Sequence, residues 1–304
     1  MHNLIFLLTC LLLGAAFRQS SLLKGNAHET VNQLLLYACL PAATLIYASE
    51  VHLSSQMLVP VLMPWGLYIA SFLFFKILGK WQGMHRHSEA ALIMTAGIPS
   101  ISFLGFPIFE LFYGEEGLRI GVLMSQAGSF MAFATLGILT ASYYASSEPS
   151  LKTVLLNVVK FPAFPALIVA LWLNLGQIPL PELLKAVLQK IAAPFSFLAL
   201  FSVGYQINFA GKGVLLKYLF AGLGFKLFLA PVLVWFVIFF IAGQRGLVAE
   251  ISVVGAALGP MNTAAIIASQ YGLNPPLASA MVGIGLPLSL LTVLPVYYLV
   301  HYIN

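Results

Sequence analysis

Apolar residues fill long unbroken stretches of this chain, and polar residues gather at the ends of those stretches instead of alternating with them. The run from Leu227 to Ala242 holds no charged or amide side chain. Such runs predict helices that satisfy their own backbone in lipid, where an exposed N–H or C=O finds no partner. A transmembrane barrel would instead show short segments of alternating polarity. At about 20 residues per span, the pattern predicts ten helices at about 2–17, 30–48, 57–79, 88–112, 118–145, 161–175, 183–207, 213–242, 246–271 and 277–303. The fourth reaches spanning length only when a polar, kinked stretch is included. Leu4 to Ala16 is as apolar as a secretion signal, but no Lys or Arg precedes it, as a signal's basic start requires. It is read as a short first span. Between Ser147 and Lys160, Leu151, Val154, Leu155, Val158 and Val159 recur at helical spacing around Lys152 and Asn157. This predicts an amphipathic helix on the membrane surface, linking a first half (1–146) through residues 147–160 to a second half (161–304).

Composition agrees. Of 304 residues, 61% are hydrophobic and 8% charged, with a mean hydropathy of +0.97, against about a quarter charged in a soluble domain. The net charge of +5 comes from scattered Lys and Arg and a complete lack of Asp, with no basic cluster for nucleic acid. Loops 1–2, 3–4, 5–6 and 7–8 carry Arg18, Lys24, Lys80, Arg86, Lys152, Lys160, Lys212 and Lys217. The alternate loops carry Arg119, Lys185, Lys190 and Arg245. The basic set faces the cytoplasm, so both termini are expected outside a plasma (inner) membrane. Cys10 and Cys39 lie in apolar runs and read as buried free thiols, with no metal or cofactor implied.

Proline supplies an internal repeat. Pro107 in the fourth helix and Pro260 in the ninth are 153 positions apart (260 − 107), as are Pro41 and Pro194 (194 − 41) in the second and seventh. A shared offset predicts a duplicated five-helix unit, and an odd number of spans inverts the second copy. The fourth and ninth helices, interrupted at Gly105–Pro107 and Gly259–Pro260, would meet antiparallel. Interrupted helices at matching positions of inverted halves point to a transporter's binding site, because half-helix ends hold ions or polar groups.

The run GFPIFELFYGEEGL (Gly105 to Leu118) resembles the segment after the fourth-helix break in the auxin efflux carrier family, which includes bacterial carriers of organic acids such as malonate and the plant PIN-type auxin exporters. LPAATLIYAS (Leu40 to Ser49), FLALFSVGYQI (Phe197 to Ile207), KLFLAPVLV (Lys226 to Val234) and GPMNTAAIIASQYG (Gly259 to Gly272) are similar to the same family, in order. The resemblance implies an all-α polytopic membrane protein. Its ten transmembrane helices form two inverted five-helix repeats, with broken crossover helices 4 and 9 (an NhaA- or bile-acid-symporter-like plan). It also implies a scaffold region and a moving region in an elevator-type cycle. Family members commonly carry Asn seven residues before the helix 4 proline, where it contacts substrate; Ser100 stands there in this chain.

Candidate site residues follow from the two breaks. Asn262 and Thr263 either bind a carboxylate or satisfy carbonyls freed by Pro260. Ser100 and Ser102 offer hydrogen bonds, while Gly105, Pro107, Gly259 and Pro260 shape the site. An ionisable group inside a membrane is a functional candidate. Glu110 and Glu250 are candidates for a coupling proton, although Glu110 is followed closely by the polar Glu115 and Glu116. Lys226 either neutralises an anion, pairs with a carboxylate such as Glu250, or snorkels to an interface. Ser125, Gln126 and Ser129 either line a cavity or bond across helices. His85, Arg86 and His87 read as a solvated edge. The expected function is secondary transport of a small organic anion, a carboxylate or an auxin-like weak acid, with proton coupling as one way of driving it. A sodium-coupled symporter of bile-acid type and a non-transporting sensor are the alternatives. No paired Asp or HExxH motif supports an enzyme. The expected partners are the anion, membrane lipid and a second copy of the chain in a homodimer.

Overall fold

In a computed structural model, the protein is described over residues 2–20, 27–145, 159, 161–206 and 216–303. Among these residues the regular structure is helical, apart from one isolated β-bridge between Pro99 and Pro260. The helices are α1 (His2–Ser20), α2 (Ala27–Ser49), α3 (Ser55–Gln82), α4 (Arg86–Gly97), α5 (Ile101–Tyr144), α6 (Ala163–Leu175), α7 (Glu182–Gln206), α8 (Leu216–Ile241), α9 (Leu247–Ala257), α10 (Asn262–Gln270) and α11 (Pro275–Ile303). Six of them (α2, α3, α5, α7, α8 and α11) are long and apolar enough to cross a bilayer. At 44 residues, α5 would be about 66 Å long at the usual helical rise, twice the hydrocarbon thickness. Gly114 resolves this: its φ of 63° and ψ of −149° divide α5 into two limbs, a backbone conformation that glycine adopts without strain.

Exposed Leu12, Ile77, Trp172, Phe220 and Phe240 would find no counterpart in water and mark the lipid-facing surface of an integral membrane protein. Inside, α1 and α7 pack backbone to backbone. A Cβ on Gly14 would fall 2.1 Å from the Phe201 carbonyl oxygen, and one on Gly204 would fall 2.1 Å from that of Leu11. Small residues at such crossings are what membrane helices use to approach. Polar groups tie the two ends of the bundle. At one end, Glu50 receives both Arg119 and Lys185. At the other, buried Glu89 accepts from the Tyr144 hydroxyl and pairs with Lys76 at 3.2 Å.

Three prolines have a common local effect. Pro41, Pro107 and Pro231 each follow a π-helical turn, at Leu35–Cys39, Ile101–Gly105 and Phe225–Leu229. Proline lacks the N–H that would bond the carbonyl four residues back and crowds that carbonyl. In each case that carbonyl (Tyr37, Phe103, Leu227) lies within the widened turn. Pro107 therefore widens a continuing helix, and does not break it as the sequence predicts. The break falls at Pro99: Ile98 is extended (φ −118°, ψ 123°), as a residue preceding proline prefers. The second break agrees with expectation, with Leu258 and Met261 extended on either side of Gly259–Pro260. The predicted surface helix at 147–160 lies outside the described residues except for exposed Val159.

Candidate functional site

The two breaks touch. Ser100 N–H donates to the Gly259 carbonyl at 2.9 Å, and Met261 N–H donates to the Ile98 carbonyl at 3.0 Å. These bonds close the antiparallel bridge between Pro99 and Pro260. Backbone groups that each break would leave unpaired are thus satisfied by the other break. Close packing holds the pair: a Cβ on Gly285 would fall 2.8 Å from Pro260 Cδ, and one on Gly105 would fall 2.7 Å from Leu258 Cδ1.

Four half-helix ends converge here. The C-termini of α4 and α9 present carbonyls, and the N-termini of α5 and α10 present N–H groups, with partial charges of opposite sign. The protein treats the two signs differently. Lys226, fully buried in α8, donates to the Ala256 carbonyl at 3.3 Å, in the last turn of α9. Among the described residues no carboxylate lies within ion-pair distance of it, and Glu250 instead meets His301 Nδ1 at 3.3 Å. Of the alternatives for Lys226, the pair with Glu250 is not formed; its amine instead donates to a helix C-terminus.

On the N-terminal side lies a small pocket of about 100 Å³. The start of α5 (Pro99 to Phe103) and the start of α10 (Met261, Thr263) line it, with Leu36 and Leu40 of α2, and Ser125, Gln126 and Ser129 of the second limb of α5. Those three polar residues lie on a further π-helical segment, Met124–Phe130, and π turns of this kind recur at functional sites. Leu36 also lines a much larger cavity, about 870 Å³, whose wall includes Arg18, His28, Glu29, Gln206, Asn262 and Ser269. Leu36 is thus the shared wall between a wide polar vestibule and a small inner pocket.

The candidate residues divide accordingly. Ser100, Ser102 and Thr263 line the inner pocket, whereas Asn262 lines the vestibule and donates to Gln206 Oε1 at 2.7 Å. From Gln206 a polar chain continues to Ser202 at 3.0 Å and to Asn32 at 2.5 Å. Gly259 and Pro260 form the bridge; Gly105 and Pro107 lie one to two turns beyond it. Glu110 is exposed, away from the pocket, and accepts from Ser196 Oγ at 2.6 Å. Glu250 is buried in the first turn of α9, as Glu89 is in the first turn of α4. Glu89 and Glu250 are 161 positions apart (250 − 89), as are Pro99 and Pro260 (260 − 99). Pro99, Leu36 and Gln206 were missed from the sequence; this common offset is the signal that would have found Pro99.

Comparison with known proteins gives a consistent result. The family described as membrane transport protein (Mem_trans) matches residues 1–298. An uncharacterized transporter of Methanothermobacter thermautotrophicus is 25% identical over 309 residues, covering 98% of this chain and 97% of that protein. The uncharacterized transporter YfdV of Escherichia coli K12 is 25% identical over 215 residues, 67% of this chain and 68% of its own. The uncharacterized transporter MJ1031 of Methanocaldococcus jannaschii is 25% identical over 167 residues, 53% of each chain.

Proposed function

This chain belongs to the auxin efflux carrier family of membrane transport proteins, and from that premise we propose that it carries a small organic anion by elevator-type alternating access. The carrying observation is the bridged pair of breaks with its sign asymmetry: a buried lysine at one carbonyl end, and a small pocket at two N–H ends. An anion entering that pocket meets two positive helix ends and several hydroxyls. The membrane transporters of this family need not perform chemistry on what they carry, and this site offers positioning and charge complementarity alone.

We propose that the architecture behind it is ten spans in two inverted five-helix repeats, 1–146 and 161–304. Two features support this: the 161-position offset that Pro99–Pro260 shares with Glu89–Glu250, and the matching order of helices on either side of the linker. In the proposed cycle α7 is part of the scaffold. It makes one polar contact to each broken pair, Ser196 to Glu110 and Gln206 to Asn262, and these must exchange partners when the pair moves. With the basic loops inside, the vestibule beside Arg18 opens to the cytoplasm and both termini lie outside an inner membrane. Glu110 or Glu250 would carry a coupling proton.

The test is uptake by purified protein in liposomes, using labelled malonate, lactate and propionate, with and without a pH gradient and with sodium replaced by choline. Uptake of at least one acid, independent of sodium, is expected. Transport of none of them refutes the anion-carrier reading, and strict sodium dependence favours a sodium-coupled symporter. If uptake ignores the pH gradient, proton coupling is wrong.

A further inference from the structure

Ser100 Oγ, Gln126 Oε1 and Ser129 Oγ are buried without any hydrogen-bond partner in the structure, although their residues are only 2%, 1% and 3% exposed. Leaving a buried polar atom unpaired is costly, and native proteins keep few such atoms. Three of them around one cavity mark a place built for something else to complete. All three residues line the inner pocket of about 100 Å³. That space is ample for several water molecules, at about 10–15 Å³ each on this measure. An acid of two or three carbons fits it. Among the described residues, no acidic or basic side chain lines it.

The chemistry of the lining narrows the occupant further. The N-termini of α5 and α10 and the hydroxyls of Ser100 and Ser129 can all donate, which suits a carboxylate. Gln126 differs: its Nε2 donates to Ser125 Oγ at 3.4 Å, so Oε1 is left as an acceptor. A carboxylate cannot satisfy an acceptor. We propose that Ser100, Gln126 and Ser129 together recognise a short carboxylate bearing a hydroxyl on the neighbouring carbon, the hydroxyl donating to Gln126 Oε1 and the carboxylate lying against the serines and helix ends. This deepens the anion-carrier reading and rests on it.

Lactate and propionate have the same carbon skeleton and differ by that hydroxyl, so they serve as the probes. Each competes for uptake in liposomes containing the full chain, and each is titrated against the purified protein by thermal shift. Lactate is expected to bind about tenfold more tightly than propionate, the contribution of one well-made buried hydrogen bond. The variant Gln126→Leu, checked for monodispersity, brings the lactate-to-propionate ratio close to one. Ser129→Ala weakens both acids alike and leaves the ratio in place. A merely structural role for Gln126 would not move the ratio. Equal binding of the two acids by the unmodified protein overturns hydroxyl recognition while leaving the carrier reading intact. So does a ratio that survives Gln126→Leu. If neither acid binds and malonate is not transported, the carrier reading fails first and the inference with it.

Discussion

Adding one methyl group at Gly259 tests the crossing directly. An ideal Cβ there would fall 2.8 Å from Ser289 Oγ, 3.0 Å from the Gly285 carbonyl oxygen and 3.0 Å from Leu286 Cα. Two of these atoms are backbone of α11, so no rotamer change removes the clash. Ser289 Oγ is also held, donating to the Leu286 carbonyl at 2.7 Å. The chain must separate α11 from the break by several tenths of an ångström, and overpacking of this kind costs about 1–3 kcal/mol. Because the Gly259 carbonyl accepts from Ser100 N–H, the shift also strains the bridge. Gly224→Ala is the control. Gly224 lies in α8 with nothing within 4 Å of its ideal Cβ, so the same methyl there should stabilise by up to about 1 kcal/mol through helix propensity. Thermal unfolding of both variants in detergent, with acid uptake in liposomes, separates the two. Gly259→Ala should unfold earlier by about 2–4 °C for each kcal/mol and transport more slowly, while Gly224→Ala should match or exceed the unmodified protein. If the two variants behave alike, the close approach of α11 to the break does not matter and the reasoning fails.

Lys226→Met should raise thermal stability, because a thioether chain of similar length has no polar amine to desolvate, yet it should depress anion uptake; a variant that keeps full uptake removes Lys226 from the site. For Glu50, burial alone would raise the carboxyl's pKa, but hydrogen bonds from Lys185 and Arg119 outweigh this and hold it below the ordinary value of 4.5. A lowered folded pKa contributes stability that is complete above the unfolded value and is lost as pH falls through the folded one. Melting temperature should therefore be insensitive to Glu50 between pH 6 and 8 and fall in acid, and Glu50→Gln should lose that part of the acid dependence; a Glu50-dependent change near neutrality would contradict the sign.

Helix positions were legible because lipid imposes one simple rule on each segment: enough apolar length to pair its own backbone. The stretch 246–271 even showed its own interruption, since Gly259–Pro260 combines a missing side chain with a missing donor. Its partner was placed one helical turn or more too late. Pro107 and Pro99 look alike as letters, but Pro107 follows Phe106 in a helix that continues as a widened turn, whereas Pro99 follows Ile98 in extended backbone bonded to the other break. The extended backbone at Ile98 and the long-range bonds from Ser100 N–H and to the Ile98 carbonyl distinguish the break from a kink. Gln206 was missed for a similar reason, because its role depends on Asn262, 56 residues away.

The electrostatic design follows from accounting for every end of the four half-helices. The bridge satisfies one N–H and one carbonyl from each side, so it removes polar groups in equal numbers and leaves the sign of the site unchanged. Lys226 then acts on one sign only, placing its amine as a donor at the carbonyl end of α9. What remains uncompensated is positive, at the starts of α5 and α10, and that is where the small pocket lies. On the anion-carrier reading proposed above, the position of this one buried amine bears more directly on the cargo than the net charge of +5, which is spread over the loops.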